Sequence, residues 1–109
     1  MSWVVYYFCT QNGKLPVKEY VESASLTDKA KIVKSIEYLK EFGPLLRTPH
    51  SKKLAPNLFE LRILGETSLR ILYSPYLNGF CLLHIFQKKT QKTPEKEIKT
   101  AVDRMKTII

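Results

Sequence analysis

Acidic residues, cysteine and glycine are all scarce in this chain. Ten Asp and Glu face eighteen Lys and Arg, which leaves a formal charge of +8 over 109 residues. Two cysteines, Cys9 and Cys81, both sit inside apolar runs. They are too few for a disulfide framework or a thiolate metal site, and read as small buried hydrophobes in a reducing, cytoplasmic compartment. The four glycines form no phosphate-cradling loop. Paired carboxylates at helical spacing and Cys/His clusters at metal-ligand spacing are also missing, so no metal and no cofactor is expected. The longest apolar runs, such as "WVVYYFC", fall far short of the ~20 residues that span a bilayer. That N-terminal run has no basic segment before it and no small-residue cleavage site after it, so no signal peptide is expected. Nor are there repeats or low-complexity tracts. The length suits one domain, residues 1–109.

What the chain does have is misplaced positive charge. Residues 1–45 carry six basic and five acidic side chains, and residues 46–109 carry twelve and five. A surface built only for solubility would spread that excess. Its concentration in the second half favours a polyanion partner, nucleic acid first. An idle basic surface is the plainer reading.

Periodicity predicts the order β-α-α-β-β-β-α, an α+β fold with a helical hairpin, a mainly antiparallel sheet and a C-terminal helix. "WVVYYF" is a β-rich run without alternation, as expected of a strand covered on both faces. Pro16 opens a short helix that buries Val17, Tyr20 and Val21. A second helix starts at "SLTD", where Ser25 and Asp28 have capping-box spacing and Thr27 is a rival cap. Its expected apolar positions are Ala30, Val33, Ile36 or Tyr38, and Leu39; Gly43-Pro44 ends it. A loop, "PLLRTPHSKKLAPN", leads to strands at 58–64, 68–74 and 80–87, with Asn78-Gly79 as the last hairpin turn. The closing helix has Thr93 as N-cap and Pro94 at its first position. Its buried stripe runs through Ile98, Ala101, Val102, Met105, Ile108 and Ile109.

Phase then gathers the basic residues. A turn at Gly65 puts Arg62 across from Arg70, a like-charge pair that calls for an anion or carboxylate between them. Glu60 shares their face, one carboxylate for two guanidiniums. Carrying the register through Asn78-Gly79 puts Gln87 opposite Arg70, with Lys89 next on the same side. "HIFQKKTQKTPEKEI" adds Lys88 and Lys92 beside a helix N-terminus, a good setting for phosphate. Each feature has a plainer reading. The arginines would be held by Arg62–Glu60 and Arg70–Glu97 salt bridges, and Lys88 and Lys89 would guard a strand edge. His84 reads as a buried, hydrogen-bonded core histidine; His50, Lys52 and Lys53 lie in the basic loop. Tyr73, Tyr76 and Phe86 would be core rather than base-stacking platforms.

The stretch from "LFELRILGETSLRILY" through "HIFQKKTQKTPEKEI" to "AVDRM" resembles the HigB-like, phage-derived branch of the RelE/ParE toxin superfamily. "PVKEYVES" and "HSKKL" extend the likeness over nearly the whole chain. The resemblance implies a toxin of a toxin–antitoxin pair, a cytoplasmic endoribonuclease that cuts mRNA in the ribosomal A site without metal. It implies a cognate antitoxin as partner, often a helix-turn-helix protein. On the matching positions, Arg70 and Lys89, with Lys88 beside it, would be catalytic, and Arg62 matches the arginine of the preceding strand. With Arg62, the residues read above as gathering there, Lys52, Lys53, His50, Lys92 and Gln87, are expected to bind RNA. The pattern departs from its relatives at Leu58 and Glu60, where RelE-type toxins commonly place lysines. It also lacks the tyrosine that some members carry early in the last helix. His50, Lys52 and Lys53 are then the candidates for general base and acid. Two alternatives stay open: a ParE-like gyrase poison without nuclease activity, and a non-enzymatic nucleic-acid-binding module.

Overall fold

The computed structural model describes residues 2–108. Strand β1 (Val4–Tyr7) leads into helices α1 (Pro16–Ser23) and α2 (Leu26–Phe42). Strands β2 (Ser51–Ala55), β3 (Leu58–Ile63), β4 (Leu69–Tyr76) and β5 (Gly79–Gln87) follow, and α3 (Glu95–Ile108) closes the chain. The expected α+β class and helical hairpin are present, with one further strand: β2 occupies part of the segment read as a loop. Its two exposed lysines and flanking prolines hide an edge strand that pairs antiparallel with β3. The sheet order is β1-β5-β4-β3-β2, with β1 parallel to β5 and the other neighbours antiparallel.

Local chemistry explains the helix ends. Ser25 caps α2, its hydroxyl accepting from the Asp28 amide at 3.1 Å, so Thr27 is not the cap. Gly43 ends α2 at φ 51°, and a Cβ there would strike the Trp3 indole. The buried face of α2 runs through Ile32, Ser35, Ile36 and Leu39, whereas Ala30 and Val33 are exposed. Ile36 and Leu39 are thus buried as expected, while Ile32 and Ser35 hold the inward positions expected of Ala30 and Val33.

Helices α1 and α2 cover one sheet face, where Val17, Ile32 and Leu39 pack with Leu61, Ile71 and Leu82. Helix α3 covers the other, Ala101 sitting among Leu58, Leu72, Cys81 and Leu83. Burial on this scale, at roughly 25 cal/mol per Å² of apolar area, is what holds three layers together. Ile98, Val102, Met105 and Ile108 are only half-buried against that second cluster. Ile109, the last expected member of the stripe, lies outside the described residues. Cys81 is buried as expected, but Cys9 is exposed.

The β4–β5 hairpin departs most from expectation. Tyr76 pairs with Gly79, so the two loop residues are Leu77 and Asn78, and the positive φ of 50° falls on Leu77. Gly79 belongs to the strand: a Cβ there would run into the Val4 backbone of β1. Farther along, Tyr73 pairs with Leu82 and Leu72 with His84, leaving Leu83 as a bulge. Its carbonyl is satisfied by Arg104 Nη1 of α3 at 2.7 Å, the guanidinium lying 5.4 Å from the centre of the Phe8 ring. Burial pulls Arg104 below the ordinary arginine value.

Candidate nucleic-acid site

Antiparallel pairing builds two rows on the face beneath α3. Lys52, Glu60, Leu72 and His84 lie in register across four strands, and Arg62, Arg70 and Phe86 form the next row. The cross-strand Arg62–Arg70 pair is thus present as expected. Two guanidiniums side by side repel unless something anionic lies between them. Glu60 does, at 1% exposure: its Oε1 is 3.4 Å from Arg62 Nε and 3.7 Å from Arg70 Nε. Thr93 Oγ1 donates to Oε2 of the same carboxylate at 2.5 Å.

The second salt bridge is therefore Arg70–Glu60, not Arg70–Glu97. Glu97 Oε1 instead meets His84 Nε2 at 2.8 Å. His84 is half-buried, its ring 5.6 Å from that of Phe86, rather than enclosed in the core. Arg70 Nη1 donates to the Leu69 carbonyl at 2.9 Å, while its buried Nε has no hydrogen-bond partner among the described residues. Burial pulls Arg70 below the usual arginine value, Glu60 opposes that, and the neighbouring Arg62 charge adds to it. It stays a cation regardless.

Thr93, expected as the N-cap, is not the residue next to α3, which starts two positions on at Glu95; its hydroxyl donates to Glu60 instead. The amides of Glu97 and Ile98, in the first turn, donate to the Pro94 carbonyl. Glu95 and Glu97 occupy the first turn, so the positive end of this helix is already complemented by its own acids.

Around the clamp opens a cleft of about 270 Å³, lined by Lys52, Lys53, Arg62, Lys88 and Lys92 with Glu60 as its carboxylate. Five cations against one acid leave it strongly positive, a surface suited to a phosphate backbone. The family model for phage-derived Gp49-like proteins matches residues 19–106, a span that includes every residue of this cleft. The chain is a Gp49-like protein. Gp49-like proteins are a RelE/HigB-like family associated with the toxins of toxin–antitoxin pairs, and such a toxin has an antitoxin partner. No curated protein matches the sequence. Among the described residues, no helix is long and apolar enough to cross a membrane.

Three of the residues expected at the site stand elsewhere in this Gp49-like chain. Gln87 pairs with Leu69, not Arg70, and so lies on the opposite sheet face. Two local events cause this: the hairpin loop falls one residue early, and the Leu83 bulge then restores only half of that two-step shift. His50 sits in the turn before β2, where strand alternation does not apply. Its ring packs edge-on against Tyr38 at 5.2 Å, beside Lys31 and Lys34. Lys89 lies on the exposed connection after β5, whereas the Lys88 amide extends the ladder to the Ser68 carbonyl at 2.7 Å. Lys88 thereby falls on the face of Phe86 and Arg70 and lines the cleft. Arg70 is 13% exposed and stands behind Arg62 and Glu60. Tyr73 and Phe86 are core; Tyr76 is half-buried, edge-on to Tyr6 at 5.3 Å.

Sequence reasoning missed the Thr93 hydroxyl as a ligand of Glu60. Its only local signal, a threonine before proline, points equally to a helix cap.

Proposed function

We propose that this Gp49-like protein is an antitoxin-controlled toxin that cuts messenger RNA in the ribosomal A site. The observation that supports this reading is the Arg62–Glu60–Arg70 clamp at the base of a cleft ringed by lysines. One carboxylate half-neutralises the arginine pair and fixes both side chains. The remaining charge is left for a substrate that brings its own anions.

In the proposed reaction the RNA 2′-hydroxyl gives up its proton and its oxygen attacks the adjacent phosphorus. The bond to the 5′ oxygen breaks, that oxygen takes a proton, and a 2′,3′-cyclic phosphate remains. Negative charge builds on the non-bridging oxygens. Preorganised donors aimed at such charge are worth about 3 kcal/mol each. Arg62 and Lys88 are the cations at the cleft surface for this role, with Arg70 holding Glu60 and adding its charge behind them. Lys52, Lys53 and Lys92 meet the flanking backbone, and Lys89 reaches it from the exposed connection. With His50 packed on Tyr38, the proton steps fall to Lys52 or Lys53. Binding in the ribosome supplies orientation.

Induced expression with mapping of transcript ends tests this. Growth arrest with cuts inside codons is expected, and both should vanish in Arg62→Ala and Lys88→Ala. Arrest with a DNA-damage response and intact transcripts would instead mark a gyrase poison. Harmless expression with intact RNA would mark a binding module.

A further inference from the structure

Away from the cleft, an apolar hollow of about 210 Å³ opens among Trp3, Pro44, Leu46, Phe59, Leu77 and Phe80. Leu77 stands at its rim with 77% of its surface exposed and a backbone φ of 50°. Both properties oppose a leucine. An exposed apolar side chain gains nothing from folding, and a left-handed backbone is strained for any residue but Gly, Asn or Asp. A turn residue disfavoured twice over points to a role outside the fold.

Pro44, Leu46 and Phe59 pass from the hollow into an adjoining groove that also holds Lys52 and Lys53. The same two lysines line the cationic cleft. One continuous path therefore runs from apolar hollow to phosphate site. We propose that a segment of the antitoxin docks along it, large apolar side chains in the hollow and acidic side chains over Lys52 and Lys53. The segment thereby blocks the cleft. This rests on the toxin reading above. Charge selects the occupant: a second copy would bring its own +8 to a basic surface, while an acidic segment is attracted to it.

The test is Leu77→Asn, with the protein encoded beside this gene as the antitoxin. Asparagine accepts positive φ, so the variant should melt at or above the wild-type temperature. Leu77 lies outside the cleft, so growth arrest should persist. Antitoxin affinity measured by titration calorimetry should fall at least tenfold, and co-expressed antitoxin should no longer restore growth. Lys53→Glu should weaken the same binding. Unchanged affinity in Leu77→Asn overturns the proposal. So does a dimer of the purified chain that Leu77→Asn dissociates while antitoxin binding stays intact. Failure of the toxin reading shows separately, as wild-type expression that never arrests growth.

Discussion

Thr93 and Glu60, 33 positions apart, meet through a 2.5 Å hydrogen bond from the threonine hydroxyl to carboxylate Oε2. The bond ties the lysine-bearing connection between β5 and α3 to β3, one strand in from the sheet edge. Thr93 is buried and its acceptor is 1% exposed, so neither group can turn to water instead. Thr93→Val keeps the shape and removes the donor, leaving a buried anion short of one partner. The expected loss is about 2 kcal/mol in urea unfolding. Thr93→Ser, which keeps the hydroxyl, should recover most of it.

Glu60→Gln removes the charge that separates Arg62 from Arg70 without changing volume. Taking one partner from a buried ionic cluster costs about 3 kcal/mol, because the charges left behind stay desolvated. Both arginines are partly exposed, so part of their mutual repulsion is screened. The destabilisation should therefore be larger at 20 mM salt than at 500 mM. Equal urea midpoints for variant and wild type at both salts would show that Glu60 is not the element holding the pair.

How much of this was legible in the sequence differs residue by residue. The Arg62–Arg70 pairing could be read because the β3–β4 turn is short and its flanking strands alternate cleanly. Gln87 could not be placed, since its register depends on a leucine taking positive φ at the turn and on a bulge at Leu83. Neither leaves a residue-type signal. Strand β2 was hidden because "SKKLA" pairs only along one edge and carries two solvated lysines. Ile32 and Val33 were confused because an interval of three residues drifts against a period of 3.6. The cationic character of the site was visible in the charge distribution; which lysine turns toward the cleft was a matter of strand ends.

Burial pushes the Cys81 thiol up from 9.0 to about 11. The unfolded thiol ionises at its ordinary value, so stability is fully present below about pH 9. Above that the unfolded state loses its proton first, and stability falls until the folded thiol also ionises near pH 11. The loss should be on the order of 2 kcal/mol. Tyr73, raised by burial against the opposing Ser51 hydroxyl bond, acts in the same direction. Cys81→Ala will be less stable at pH 7 because it leaves a void, yet its stability should decline less between pH 9 and 11. Parallel decline in the two proteins, followed by urea unfolding, would refute this.

Lys88 and Gln87 are neighbours in sequence on opposite faces of the sheet, which makes them a matched pair for nucleic-acid binding. Each phosphate neutralised on single-stranded RNA contributes about 0.7 to the slope of log affinity against log salt. Lys88→Ala should lower the slope by about that amount and weaken binding of an RNA oligonucleotide at low salt. Gln87→Ala should leave both unchanged. A loss in Gln87→Ala equal to that in Lys88→Ala would place RNA on the wrong face for the cleft.

Gly79→Ala tests why β1 can join the sheet at all. Strand β1 adds to β5 in parallel, starting with Val4 beside Gly79, and the Val4 backbone occupies the space where a Cβ would stand. Backbone cannot swing aside as a side chain can, so the methyl must push β1 away and break the pairing from that end. A cost of about 4 kcal/mol or more is expected, among the largest for a single methyl. Gly13→Ala is the control: its surroundings are open, and only its φ of 81° opposes the substitution. That should cost about 1 kcal/mol. Thermal melts of the two variants then separate collision from backbone strain, and a Gly79→Ala protein that loses no more than Gly13→Ala would mean that β1 does not pack as closely as its register requires.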